Sequence, residues 1–205
     1  MANDIYDSFK ELKIHQELNK DYQISISNVG SQITIIAPHG GKIEPRTSDL
    51  AKIIAQTHFN YYCFEGIKKQ NNACLHITSH NFDEPSALEL VSRSNLVVAI
   101  HACTGNAGLV HLGGLDEELK EAIAYELEAR GIRISKEHPG FQGSNPHNIC
   151  NRGTSGKGVQ LEITRDLRDD LKKVNLIAEA VQAGLMRNRG TIGRKNGNLF
   201  ATVVP

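Results

Sequence analysis

Apolar side chains recur along this chain in two rhythms, and the places where the rhythm changes mark the elements. Residues 5–18 carry them at helical spacing and predict a short amphipathic helix, whereas Tyr22 to Ser27 alternates like a half-exposed strand. Ile33 to Pro38 (ITIIAP) is a continuous, β-branched apolar run of the kind covered on both sheet faces. After the turn HGGKIEPR, Leu50, Ile53 and Ile54 form the stripe of a helix near 48–57, with Thr47 or Ser48 as its cap. YYCFEG and CLHIT read as two strands of a hairpin over 61–78. Pro85 to Ser92 reads as a helix opened by Asp83, and Asn95 to His101 as a second buried strand. The plainest helix is 116–130, with Asp116, Glu117 and Glu118 at its start, Leu119, Ile123 and Leu127 inside, and Arg130-Gly131 as its stop. Residues 137–158 are too rich in Gly, Pro, Asn and Ser for regular structure, and loops this long in compact domains are usually functional. A strand over 159–164, a helix over about 170–187 and a last strand over 198–204 complete the series. Strands alternating with helices predict a three-layer α/β domain, its central sheet mixed but largely parallel and flanked by helices.

Composition narrows the class. The chain has 205 residues, 40% apolar and 22% charged, enough for one domain spanning 1–205 and incompatible with disorder. Its 23 basic and 23 acidic residues cancel, so nothing in the overall field favours nucleic acid. No apolar run reaches the length of a membrane span, and MANDIYDSFKELK lacks the apolar core of a signal peptide. A monomer made in a cytoplasm, with neither membrane nor nucleic acid as partner, is the expectation. Cys63, Cys74, Cys103 and Cys150 include no CxxC pair, so buried thiols are the default. The predicted hairpin would nevertheless set Cys63 against Cys74, where an oxidising medium would allow a bridge.

Nine histidines are many for this length and turn attention to metal or acid–base chemistry. In open α/β sheets, ligands bind beyond the carboxyl ends of the strands. There the first buried strand delivers His39 with Glu44 five residues on, the second delivers His101, and VQLEIT carries Glu162. Two histidines and a carboxylate are the three-ligand set of many catalytic zinc sites, and a further carboxylate can act as general base. Gly40 and Gly41 would let backbone approach an ion or substrate closely. His15, His58 and His76 have no such context and read as surface or packing residues, while His80, His138 and His147 sit in loops that could reach the site, though each taken alone reads as structural.

PHGGKIEPRTSDLA, SHNFDEP, AIHAC and NICNRG together resemble the phage poly-γ-glutamate hydrolase family over about residues 20–200. That family is similar to zinc carboxypeptidases in fold and site, so the resemblance implies a carboxypeptidase-like domain holding one zinc ion. It implies His39, Glu44 and His101 as ligands and Glu162 as the catalytic base. Carboxypeptidases space the first two ligands as His-x-x-Glu, whereas four residues intervene here. The implied activity is hydrolysis of γ-glutamyl amide bonds in capsular poly-γ-glutamate, by an enzyme released at host lysis. An acidic polymer calls for cations around the cleft, and Arg152 beside Asn151, Arg46, Arg165 and Lys42 are the candidates. An Asn-Arg pair binds the terminal carboxylate in carboxypeptidases, at a different point in chain order.

Competing readings carry less. GTSGKG at 153–158 fails as a phosphate loop, because Asn151 stands at the first glycine position and Gly158 where Ser or Thr must bind magnesium. Cys103 near His101 or His111 lacks a third group to orient a nucleophile–base pair. A zinc amidohydrolase of small acyl-amino acids and a non-catalytic capsule-binding protein are the remaining alternatives.

Overall fold

The structure, a computed structural model, describes residues 4–105, 107–136 and 138–197. Among the described residues seven strands form one sheet: β1 (Tyr22–Ser27), β2 (Ile33–Gly41), β3 (Asn60–Gly66), β4 (Leu96–Ala102), β5 (Leu109–Gly113), β6 (Arg133–Ser135) and β7 (Val159–Ile163). They lie in the order β1-β3-β2-β4-β7-β5-β6. The pairs β1/β3 and β5/β7 are antiparallel and the other four are parallel, so the sheet is mixed and largely parallel, as predicted. The predicted last strand, 198–204, lies outside the described residues.

Helices cover both faces. On one, α2 (Thr47–Ala55), α4 (Glu117–Ala129) and α6 (Leu171–Gly197) bury Leu50, Ile54, Leu119, Ile123, Ile177, Val181 and Leu185 against Ile35, Val98, Ile100 and Leu161. Each such side chain contributes about 1.5–3 kcal/mol by leaving water. On the other, α1 (Phe9–His15) and α3 (Pro85–Ser92) pack Phe9, Leu12, Ala87 and Val91 with Tyr62, Phe64 and Phe82. The remaining helix, α5 (Arg165–Asp169), is a single turn leading into α6. Among the described residues no helix is long and apolar enough to cross a membrane.

Three local expectations are corrected. CLHIT is not a strand: Asn72–Leu75 is a 3-10 turn whose backbone bonds close on themselves, with Leu75 and Ile77 fully buried beneath the sheet. Alternating apolarity there reflects packing under the sheet rather than pairing within it. With the hairpin gone, Cys63 and Cys74 belong to the cores on opposite faces, and all four cysteines are free. The caps differ as well. Arg46, in the left-handed region at φ 79°, precedes α2 without a side-chain cap bond, while the Thr47 hydroxyl donates to the Glu44 carbonyl and Ser48 Oγ accepts from the Gly41 N–H. Glu84 caps α3 by accepting from the Ala87 N–H, and Asp83 instead accepts from the Phe9 N–H.

Candidate metal centre and active site

Register explains where the chemistry collects. On the α1/α3 face, Ile36, Ala99, Gln160 and Gly113 stand opposite one another across β2, β4, β7 and β5. The next row toward the carboxyl ends of β4 and β7 holds His101, Glu162 and His111. An irregularity in β2 between Ala37 and Gly40 delivers His39 beside His101.

Glu44 returns to His39 because its own N–H donates to the His39 carbonyl at 2.8 Å, closing the four intervening residues into a tight turn. A Cβ on Gly40 would meet Ser48 and the Phe64 carbonyl, and Gly41, at φ 64°, lies against the backbone of Gly66. The close approach these glycines allow is therefore to β3, not to an ion or substrate.

His39 Nδ1 and His101 Nδ1 lie 3.1 Å apart, with Glu44 Oε1 3.3 Å from the first and Oε2 3.7 Å from the second. Donors held about 2.0–2.1 Å from a tetrahedral ion stand about 3.3–3.4 Å from one another, so the trio has the dimensions to hold a small divalent metal ion. The outer bonds agree. His39 Nε2 donates to the Ile77 carbonyl at 2.8 Å, which leaves Nδ1 as a lone pair aimed at the centre. Ser79 Oγ is 3.3 Å from His101 Nε2, and Glu44 Oε2 accepts from the Ala102 N–H at 2.9 Å.

Electrostatics single out the same point. Burial, reinforced by His39 and His76, pushes His101 down to about 3 against the opposing pull of Glu44. Burial would also lower His39, but the charge and hydrogen bond of Glu44 and the Ile77 carbonyl hold it above its ordinary value. Glu44, despite burial, is held below the usual carboxylate range by His39, His101 and His76. An ionised carboxylate facing two inward lone pairs is a field that selects a cation. Glu162 is the opposite case: burial and the Glu44 charge push it well above the carboxylate range, with Arg168 as counterweight. A carboxyl tuned upward beside a metal-competent trio suits proton transfer.

Two neighbours went unread in the sequence. His76 is the packing residue of the two readings, but what it packs on is a site residue: it stacks on His39 with ring centroids 3.9 Å apart, and its Nδ1 is 2.6 Å from Asp4 Oδ1. Arg168 is buried and donates to the carbonyls of Ile163, Pro45 and Cys103, and its charge acts on Glu44 and Glu162. Neither has a local sequence signal, since both are brought in by segments remote in sequence from His39.

The sequence-selected cations have protein partners of their own. Arg46 pairs with Asp49 and Arg165 with Asp169 on the surface, and exposed Lys42 donates to the Lys68 carbonyl. Arg152 donates to the carbonyls of His147, Phe82 and His80, leaving two of its five N–H groups for anything else. Asn151 is buried: its amide donates to the carbonyls of Gly143 and Asn145 while its oxygen accepts from Leu115 and Gly158 N–H groups. It ties the long loop together and has no bond left for a substrate. Cys103 is pushed up to about 11 by burial and the charge of Glu162, the wrong direction for a thiolate nucleophile.

Fold and site together define a zinc carboxypeptidase-like protein with a His/Glu/His centre able to hold a metal ion. The chain belongs to the poly-γ-glutamate hydrolase family, whose model matches residues 6–183. It is 38% identical over 169 residues to the UPF0714 protein YmaC of Bacillus subtilis (strain 168), which covers 81% of this chain and 71% of that one. A bacteriophage poly-γ-glutamate hydrolase structure superimposes with a TM-score of 0.89 at 28% identity, covering 92% of this chain and 100% of the other. A structure of YNDL in its zinc-free apo form superimposes with a TM-score of 0.84, again at 28% identity, covering 91% and 99%.

Proposed function

We propose that this chain hydrolyses the γ-glutamyl amide bonds of poly-γ-glutamate, using one zinc ion held by His39, Glu44 and His101 and Glu162 as general base. The observation that carries the reading is the convergence of two Nδ1 atoms and one carboxylate at zinc-like separations beside a carboxyl tuned upward. The zinc-free form recorded for YNDL favours zinc among divalent ions.

When bound, zinc supplies Lewis acidity, lowering the pKa of water in the site and polarising the scissile carbonyl. Glu162 takes the proton from the attacking water and returns it to the departing nitrogen, so one carboxyl serves as base and then as acid. Arg168 keeps positive charge near Glu162 and Glu44, which offsets part of the repulsion between the two carboxylates. His101 is held neutral by burial, and zinc would be bound by His39 in its neutral state, the one in which an imidazole offers a lone pair.

The test is zinc-loaded protein on the polymer, followed by viscosity and by release of new amino groups, with poly-α-glutamate and an N-acyl-glutamate alongside. Rapid loss of viscosity on the γ-linked polymer alone supports the reading. Cleavage of only the small acyl-amino acid would replace it with an amidohydrolase, and binding without cleavage would leave a capsule-binding protein.

A further inference from the structure

One side chain of the catalytic row has no role in the chemistry above. His111 stands on β5 directly opposite Glu162, on the same sheet face and on the side away from His101. It is half-buried, and its Nδ1 is buried with no hydrogen-bond partner among the described residues. A proton there would be a desolvated donor with nothing to receive it, which is costly. Burial, and then His138, lower its pKa, so the ring carries a single proton. That proton sits on Nε2, on the ring edge left to the solvent.

The rest of this wall comes from the loop after β6. His138 lies 4.9 Å from His111 and Phe141 5.2 Å from it, and His138 and Phe141 stack at 4.1 Å. His138 Nδ1 accepts from the Gly140 N–H at 3.2 Å, so its proton is also on Nε2, and the ring is exposed. Two neighbouring imidazoles thus present N–H groups and no acceptor. A donor-only surface selects a ligand group that only accepts, which a carboxylate does and an amide does not.

Order along the row says which carboxylate. The metal-competent trio lies at one end, Glu162 in the middle and His111 one strand further, about 4.8 Å on. A γ-linked substrate has the same order: scissile carbonyl, departing nitrogen, then the α-carbon with its carboxylate. We propose that His111, with His138 beside it, forms the subsite for the α-carboxylate on the departing-amine side of the γ-glutamyl bond. The assignment rests on the function proposed above.

The test uses Glu162→Gln protein, which binds without cutting, and two γ-linked glutamate oligomers, one with free α-carboxyls and one with α-carboxamides. Calorimetry gives each affinity with and without His111→Phe, which preserves a ring against Phe141 but removes the N–H. The free-acid oligomer should bind about tenfold more weakly, the worth of one hydrogen bond to a charged group, and the amide oligomer should be unaffected. His111→Gln, which restores an N–H donor, should recover part of the loss and answers for a His111→Phe protein that does not fold. Equal weakening of both oligomers, or no weakening, overturns the subsite while leaving the hydrolase reading intact. Failure of wild-type protein to cut or bind either oligomer overturns both.

Discussion

Asn151→Ala separates a bracing role from a substrate-binding one by the size of its effect on stability. The change removes five hydrogen bonds: two donated to the Gly143 and Asn145 carbonyls, two accepted from the N–H groups of Leu115 and Gly158, and a weak one accepted from the Cys150 thiol. Gly158 N is fully buried, so leaving it unpaired costs about 1–3 kcal/mol, and the three partly buried bonds cost about 1 kcal/mol each. The sum is about 4–6 kcal/mol. For a chain of this size that corresponds to roughly 8–24 °C in melting temperature. Thermal unfolding followed by circular dichroism reads the shift, and kcat and KM on a γ-linked oligomer at low temperature read the function. The expected result is a large drop in melting temperature with KM little changed. An unaltered melting curve with a KM raised tenfold or more would show that Asn151 holds substrate and that the bonds described above are dispensable.

Glu162→Gln should lower kcat by about 10²–10⁴ and retain zinc measured by atomic absorption, whereas His101→Ala should lose both; zinc loss in the glutamine variant would make Glu162 a ligand. Cys103→Ser should keep near wild-type activity, and inactivation would restore a thiol mechanism. Burial raises the pKa of Glu65, but hydrogen bonds from Ser25, Lys52 and Gln23 outweigh it and hold the carboxyl below its ordinary value of 4.5. Its contribution is therefore complete above that value and lost as pH falls through the lower folded value. Urea midpoints should drop for wild type below about pH 4.5 and do so less for Glu65→Gln; parallel pH profiles would refute this.

The parts of the fold legible in the sequence are those whose periodicity is set by burial. ITIIAP and NLVVAIH are covered on both faces and become β2 and β4, and Leu119, Ile123 and Leu127 form the inner stripe of α4. β5 and β6 are short, with glycines beside one and an exposed Arg133 in the other, so neither carries a period long enough to read. CLHIT misleads because packing beneath a sheet imposes the same alternation as pairing within it. His39, Glu44, His101 and Glu162 could be picked out by their places at or near strand ends, and the structure brings these four together. His76 and Arg168 could not, since they reach the centre through segments whose positions only the tertiary structure fixes. Charge alone marked Arg46, Arg165 and Lys42, and charge without periodicity does not reveal the protein partners these side chains take.

Asp4 has a consequence for how this protein is handled. Its two carboxylate oxygens hold the His76 ring and the Thr78 N–H, one on either side of Ile77, whose carbonyl fixes the His39 ring. Asp4 is thus clamped to the surroundings of His39 across more than seventy residues. Affinity tags and trimmed start sites are ordinarily placed at an amino terminus on the assumption that it is inert. Here a cut at residue 8 would release the clamp and loosen the His39 ring, whose alignment the proposed zinc site needs. On the proposed function, a preparation shortened in this way would look like a weak zinc binder for reasons of cloning alone.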